Sequence, residues 1–193
     1  IVILRSKSPS EITNTIVEHS VTIAIMVPPM YNLLARRGEP EVMKSVHTFI
    51  SGGASIPQPV SQAFHNRYHH PVQEGYGLTE ASPVVCMMPA GKPKYLTSGP
   101  VLPGVEAYVR TESGGPYVPG TVGELVIGGV GLARYLDAAK DAEKYAPLPS
   151  LGWERAYRSG DLVALEPEGL AFHGRADARR DTGSSSPPRR RTR

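Results

Sequence analysis

Residues Gly75-Tyr76-Gly77-Leu78-Thr79-Glu80 set an aromatic ring, a hydroxyl and a carboxylate along one short stretch, with glycines on either side of the ring. An aromatic face can stack on a flat ligand ring. A hydroxyl can donate to an oxyanion, and a carboxylate is a hard oxygen donor suited to a divalent cation. A second cluster, Gly52-Gly53-Ala54, lets backbone approach a ligand face with no Cβ in the way. Asp161, in Tyr157-Arg158-Ser159-Gly160-Asp161-Leu162, is a carboxylate able to accept from a pair of hydroxyls. Arg175 adds a permanent positive charge. Each of these, taken alone, is also an ordinary turn or cap, so the surrounding elements have to decide.

The first half alternates strand and helix. Ile1-Val2-Ile3-Leu4 has the composition of a buried strand, and a helix then starts at Ser8, with Pro9 in its first turn and Glu11 completing a capping box. Residues 21–27 form a second apolar, β-branched run, stopped by Pro28-Pro29. Residues 30–37 suit a short helix, and residues 46–54 a strand that enters the glycine turn. A helix follows from about Pro57, with Val60, Phe64 and Tyr68 on one face, and residues 71–77 return to the sheet. Strands apolar on both faces, alternating with helices, argue a parallel sheet with helices on both faces. Ligands in open α/β sheets bind beyond the carboxyl ends of the strands. Both glycine-containing stretches fall there.

After about residue 98 the pattern changes to short strands punctuated by Gly and Pro, as in residues 104–111, 123–129 and 160–175. That is a smaller antiparallel, β-rich part. The last of these is a hairpin that turns at Glu166-Pro167-Glu168-Gly169. Gly128-Gly129-Val130-Gly131 is expected to be a tight turn after a strand, without a phosphate role.

Bulk properties narrow the class. The 193 residues are 40% hydrophobic, enough for a real core. The single cysteine, Cys86, allows no internal disulfide and fits a reducing compartment. There is no apolar run long enough to span a bilayer and no signal-peptide pattern, so the cytoplasm is the expected location and no membrane partner is expected. The net charge of +3 is a property of the tail. Residues 180–193 hold five arginines against one aspartate, which leaves a net −1 for the rest of the chain. His65, His69 and His70 have a helical spacing that could hold a metal, but with no Cys or acidic partner nearby a solvated helix end is expected. Cys86 and Trp153 are expected to be packing residues.

Five stretches in order, Ser51-Gly52-Gly53-Ala54, residues 75–83, residues 123–137, residues 157–162 and residues 174–179, resemble the adenylate-forming (AMP-binding) superfamily. That family includes acyl-CoA synthetases and the adenylation domains of nonribosomal peptide synthetases. The resemblance implies ATP and Mg2+ as cofactors. It implies that Gly52, Gly53, Ala54, Tyr76 and Gly77 surround adenine, with Tyr76 stacked on the ring. Thr79 would reach a phosphate oxygen and Glu80 would ligate Mg2+, the two acting as the catalytic pair. Asp161 would accept from the ribose hydroxyls, Arg175 would lie near ribose or phosphate, and Asp177 would be the hinge of a small C-terminal domain. Residues 1–98 would be the α/β part of the large adenylation subdomain, 99–176 a β-rich subdomain with the ribose-binding loop, and 177–193 a hinge remnant with a basic tail.

The implied reaction activates a small carboxylic acid as acyl-AMP with release of pyrophosphate, before transfer to a thiol on a phosphopantetheine carrier or CoA. Residues 76–84 are worded like acyl-CoA synthetases, with Leu78 where peptide synthetases usually have proline. Residues 151–177 are closer to amino-acid adenylation domains, so an amino acid is favoured. Residues around Val27-Pro28-Pro29 and Ala81-Ser82-Pro83 are expected to line the acyl pocket. The family's phosphate-gripping loop and its C-terminal lysine are absent from the sequence, so weak or no activity is expected of this chain alone. Residues 131–137 run one glycine short of the family form, and after Arg179 the family pattern gives way to a Ser-, Pro- and Arg-rich run, as a frameshift, truncation or fusion would leave. A non-catalytic module whose tail binds nucleic acid is the rival from another class, with nucleic acid the less expected partner.

Overall fold

The computed structural model describes residues 1–6, 8–89, 97–111 and 118–177; the basic tail, and with it the nucleic-acid reading, lies outside these residues. Ser8 opens α1 (Pro9–His19) by accepting from the Glu11 amide at 3.2 Å. That satisfies one of the amides that a helix start leaves without a partner. β1 (Ile23–Met26) leads straight into α2 (Pro28–Arg37). The two prolines that end the strand are also the first residues of the helix, where a missing N–H costs nothing. β2 (Thr48–Ser51), α3 (Gln58–Tyr68) and β3 (Val72–Tyr76) complete the α/β half.

β1, β2 and β3 pair in parallel in that order, and β4 (Cys86–Met87) adds antiparallel to β3. Register places Ala24, Phe49 and Val72 side by side on one face. Against that face pack Ile12 and Ile16 of α1, Met30, Tyr31 and Leu34 of α2, and Phe64 and Tyr68 of α3. Phe64 is fully buried at the centre, edge-on to Tyr31 and Phe49 with ring centroids 5.0 Å away in each case. Truncating such a residue to Ala costs about 3–5 kcal/mol. Arg67 and Tyr68 of α3 close the end of α2. The Arg67 Nε donates to Gly38 O at 2.6 Å and the Tyr68 hydroxyl to Leu34 O at 2.9 Å. Ile23 and Ile25, on the other face of β1, are exposed.

Ile1-Val2-Ile3-Leu4 does not form a strand; Ile1 and Ile3 are exposed, and only Leu4 packs against the core. An apolar run becomes a strand only where a neighbour supplies ladder hydrogen bonds. Among the described residues β1 pairs with β2 alone.

The second sheet is antiparallel throughout, in the order β5 (Val105–Arg110), β6 (Gly123–Gly129), β7 (Tyr157–Glu166), β8 (Gly169–Arg175). Its core joins Val109, Leu125, Ile127, Val163 and Leu170 to Val85 and Cys86 from the neighbourhood of β4. A strap at residues 97–102 binds the two halves. Ser98 N donates to Leu170 O at 2.7 Å, Leu170 N to Gly99 O at 3.0 Å, and Leu102 N to Val85 O at 2.9 Å. Gly169 lies so close to this strap that a Cβ there would sit 2.1 Å from Gly99 C, and its φ of +131° disfavours an L side chain as well. The strap sets the end of β3 beside the middle of β7. α4 (Ala138–Lys144), capped by Asp137, buries none of its own residues, and Tyr145 directly after it enters this core. No helix among the described residues is long and apolar enough to cross a membrane.

Candidate functional site

β3 delivers Tyr76 at its last residue, and β7 and β8 deliver Asp161 and Arg175 as direct cross-strand partners. The Tyr76 hydroxyl donates to Asp161 Oδ2 at 2.5 Å, and Arg175 Nη1 donates to Oδ1 at 3.1 Å. Both oxygens of one buried carboxylate are thus engaged, from two different sheets. Asp161 stands in the middle of β7, where the ladder shifts register at Leu162/Val163. Its amide donates to Ser159 Oγ at 3.0 Å, and Ser159 in turn donates to Leu125 O at 2.8 Å. Arg175 Nη1 also donates to Ser159 O at 3.1 Å, so the β-sheet itself orients the pair.

These groups border a cavity of about 250 Å³ lined by Gly53, Ala54, Ser55, Glu74, Gly75, Tyr76, Gly77, Ser98, Asp161, Phe172 and Arg175. Its size is close to the lower end of the roughly 300–1,000 Å³ of small-molecule sites, so it suits a nucleoside better than anything larger. One wall is aromatic: Tyr76 stacks near-parallel to Phe172, centroids 6.3 Å apart. The other walls are glycine turn and carboxylate. Glu74 Oε2 accepts from the Ile56 amide at 3.4 Å. Burial raises the Glu74 carboxyl above its ordinary value, with Ser55 and the Ile56 amide pulling the other way. Burial, reinforced by Asp161, keeps the Tyr76 phenol protonated well beyond its normal range. Arg175 is held charged by Asp177 first and Asp161 second. A larger cleft, about 700 Å³, lies between α1 and residues 37–42, shares no residue with this cavity and is bordered by the exposed charges of Glu18, Arg37 and Glu39.

Six of the residues expected from sequence, Gly53, Ala54, Tyr76, Gly77, Asp161 and Arg175, therefore border one cavity. Gly77 has a packing duty too, since a Cβ there would sit 1.7 Å from Pro83 O. Gly52 is next to the cavity but does not line it; its amide donates to Met26 O at 3.2 Å. Thr79 and Glu80 lie beyond it, in a short 3-10 turn (Thr79–Ala81), with Thr79 exposed. Asp177 lies outside the cavity, paired to Arg175 at 3.1 Å. Ser55, Glu74, Ser98 and Phe172 are lining residues that the sequence reading did not single out. Glu74 could have been found by strand alternation, being two residues before Tyr76; Phe172, three before Arg175, shares its side only because the ladder shifts register between Phe172 and Gly174. Ser98 owes its place to the strap, which has no local signature. Gly129 and Gly131, both at positive φ, turn the chain out of β6, Cys86 is fully buried with its thiol pushed up to about 12 by burial, and Trp153 covers Gly128.

Comparison with known proteins follows the same line. The profile of the family described as AMP-binding enzyme matches residues 1–136. Malpinin synthetase of Mortierella alpina is 31% identical in an alignment of 186 residues that covers 89% of this chain and 2% of that protein. Feruloyl-CoA synthase of an Amycolatopsis species is 29% identical over 185 residues, 89% of this chain and 35% of that protein. The chain thus spans about a third or less of the length of these relatives. Among solved structures, a benzoate CoA ligase from Burkholderia xenovorans LB400 superposes with a TM-score of 0.76 at 25% identity, over 88% of this chain and 34% of that one. PA1221, a peptide-synthetase protein containing adenylation and PCP domains, does so with a TM-score of 0.75 at 25% identity, over 87% of this chain and 36% of that one. Architecture and sequence agree, and the chain belongs to the AMP-binding enzyme family.

Proposed function

We propose that this chain carries the adenosine-binding half of a ligase that activates a small carboxylic acid, an amino acid in the favoured reading, as its acyl-adenylate before transfer to a thiol. The observation that supports it is the meeting of Tyr76, Asp161 and Arg175 at a cavity whose floor is the Gly53-Ala54-Ser55 turn. In this reading adenine lies on the Tyr76 and Phe172 faces, with the Glu74 carboxylate accepting from its exocyclic amine. The ribose hydroxyls take the Asp161 carboxylate, and Arg175 balances its charge. In the reaction a carboxylate oxygen bonds to the α-phosphorus of ATP. The bond from that phosphorus to the bridging oxygen breaks, and pyrophosphate leaves with the electron pair.

The triphosphate would run from Asp161 toward Thr79 and Glu80. Glu80 fits a cation: Oε1 accepts from the Tyr135 hydroxyl, and Oε2 forms no hydrogen bond among the described residues. Mg2+ bound there would neutralise charge developing on the phosphoryl oxygens. Leu78 in the β3-to-turn link favours an acyl-CoA ligase as the second reading, with CoA in place of a carrier-bound phosphopantetheine. In the domain reading, residues 1–98 and 99–176 act as the two walls of this pocket.

Photolabelling with 8-azido-ATP tests the proposal. Adducts are expected on peptides carrying Gly53–Ile56, Tyr76 or Phe172, and excess AMP should suppress them. Labelling spread over the surface, or unaffected by AMP, would contradict it. Pyrophosphate exchange with amino acids against aromatic and aliphatic acids separates the two substrate readings.

A further inference from the structure

Tyr135 stands outside the cavity, yet it is bound to the residue on which the metal reading depends. Its hydroxyl donates to Glu80 Oε1 at 2.8 Å. The same segment of chain reaches Glu80 twice more. Ala133 N donates to Glu80 O at 3.0 Å, and the Tyr145 hydroxyl donates to that carbonyl at 3.1 Å. Backbone and carboxylate of one residue are therefore held from residues 133–145.

That segment is itself anchored. Asp141 Oδ1 accepts from Tyr135 N at 2.8 Å and from Arg155 Nη2 at 3.3 Å. Arg155 Nη2 also donates to Ala133 O at 3.1 Å. The Tyr135 ring meets the Tyr145 ring edge-on, centroids 5.6 Å apart, and carries the Lys140 ammonium 4.4 Å from its centre. A free glutamate is among the side chains that lose most rotamer freedom when fixed. A donor already fixing it removes that loss from cation binding.

We propose that Tyr135 is a positioning residue that holds the Glu80 carboxylate in one rotamer, leaving Oε2 as the atom offered to the cation of a metal–nucleoside triphosphate. The inference rests on the reading of Glu80 given above and adds the residue that prepares it. It also gives residues 133–145 a role: they are the mount of the cation ligand rather than a connection between strands.

Three chains separate the possibilities: wild type, Tyr135→Phe and Glu80→Gln. The phenylalanine keeps the ring contacts and deletes only the donor. Side-chain three-bond couplings at Glu80, read by NMR without any ligand, should report one rotamer in wild type and averaging in Tyr135→Phe. Calorimetric titration should then show AMP affinity unchanged in Tyr135→Phe, while Mn2+·ATP binds about three- to tenfold more weakly. A packing role alone would weaken both ligands together and leave the couplings in place. Averaged couplings in wild type, or equal Mn2+·ATP affinity in wild type and Tyr135→Phe, would overturn the proposal. If Glu80→Gln also keeps full Mn2+·ATP affinity, the metal reading of Glu80 falls with it; if Glu80→Gln loses affinity and Tyr135→Phe does not, the positioning role alone falls.

Discussion

Replacing Tyr76 by phenylalanine should make this protein less stable and, at the same time, a better binder of AMP. The hydroxyl that would be lost donates to Asp161 Oδ2 at 2.5 Å, while the ring stays free to stack on Phe172. Asp161 is 9% exposed, so a lost donor is not fully replaced by water. A hydrogen bond to a charged group is worth about 1.5–3 kcal/mol. In a chain of this size each kcal/mol moves the melting temperature by about 2–4 °C, so a fall of about 3–12 °C is expected. Binding moves the other way. A ribose hydroxyl approaching Oδ2 competes with the tyrosine for it, and in the phenylalanine variant that oxygen is open. Hydration of the released tyrosine hydroxyl returns part of the cost in wild type, so the net gain in AMP affinity should be about three- to tenfold. Thermal melting and calorimetric titration of both chains are the assay. AMP binding that weakens in Tyr76→Phe would mean that the hydroxyl grips the nucleotide itself, and the displacement argument would be wrong. An unchanged melting temperature would mean that the Tyr76–Asp161 bond does not support the fold.

Gly169→Ala should cost about 2–4 kcal/mol in urea unfolding, because positive φ and the contact with Gly99 act together; a loss below about 1 kcal/mol would show that the strap can yield. Arg67→Ala should cost about 1.5–3 kcal/mol by freeing the carbonyls of Gly38 and Ala35, and Arg67→Lys should not restore it, since an ammonium cannot span both; full rescue by lysine would refute the forked geometry. Glu74 should leave a signature in pH. Its carboxyl is raised by burial, so the folded state holds this proton more tightly than the unfolded state. The resulting stability is fully present below the unfolded value and lost as pH rises through the folded one. Glu74→Gln should therefore gain on wild type at about pH 7, with the gap closing as pH falls to about 4. A gap that widens on acidification would show that the carboxylate is stabilised as an anion.

Much of the fold was legible because the signals were local. Ser8-Pro9 with Glu11, the prolines at 28 and 29, and the Glu166–Gly169 turn each act within a few residues of themselves. The segment Ile1–Leu4 misled because a strand is a property of pairs, and its own sequence does not reveal whether a neighbour is present. The candidate site followed the same division. The family resemblance carried by the stretches around Tyr76, Asp161 and Arg175 pointed to a nucleotide before any geometry was known. That Tyr76 and Asp161, 85 positions apart, would bond directly to each other was not legible, since it depends on the strap at 97–102 that sets β3 against β7. Phe172 was hidden for a related reason. In a hairpin sequence an exposed aromatic looks like any other strand residue until the facing element is placed. Tyr135 was hidden because its partner, Glu80, lies 55 positions away.

In the proposed site, adenosine is held in this cavity through Asp161. Calorimetric titration of the chain with AMP, beside an Asp161→Ala chain shown to be folded by circular dichroism, tests it most directly. Two ribose hydroxyls on one carboxylate should make the variant bind about ten- to a hundredfold more weakly. Equal affinity in the two folded chains, or no AMP binding by wild type, would contradict it.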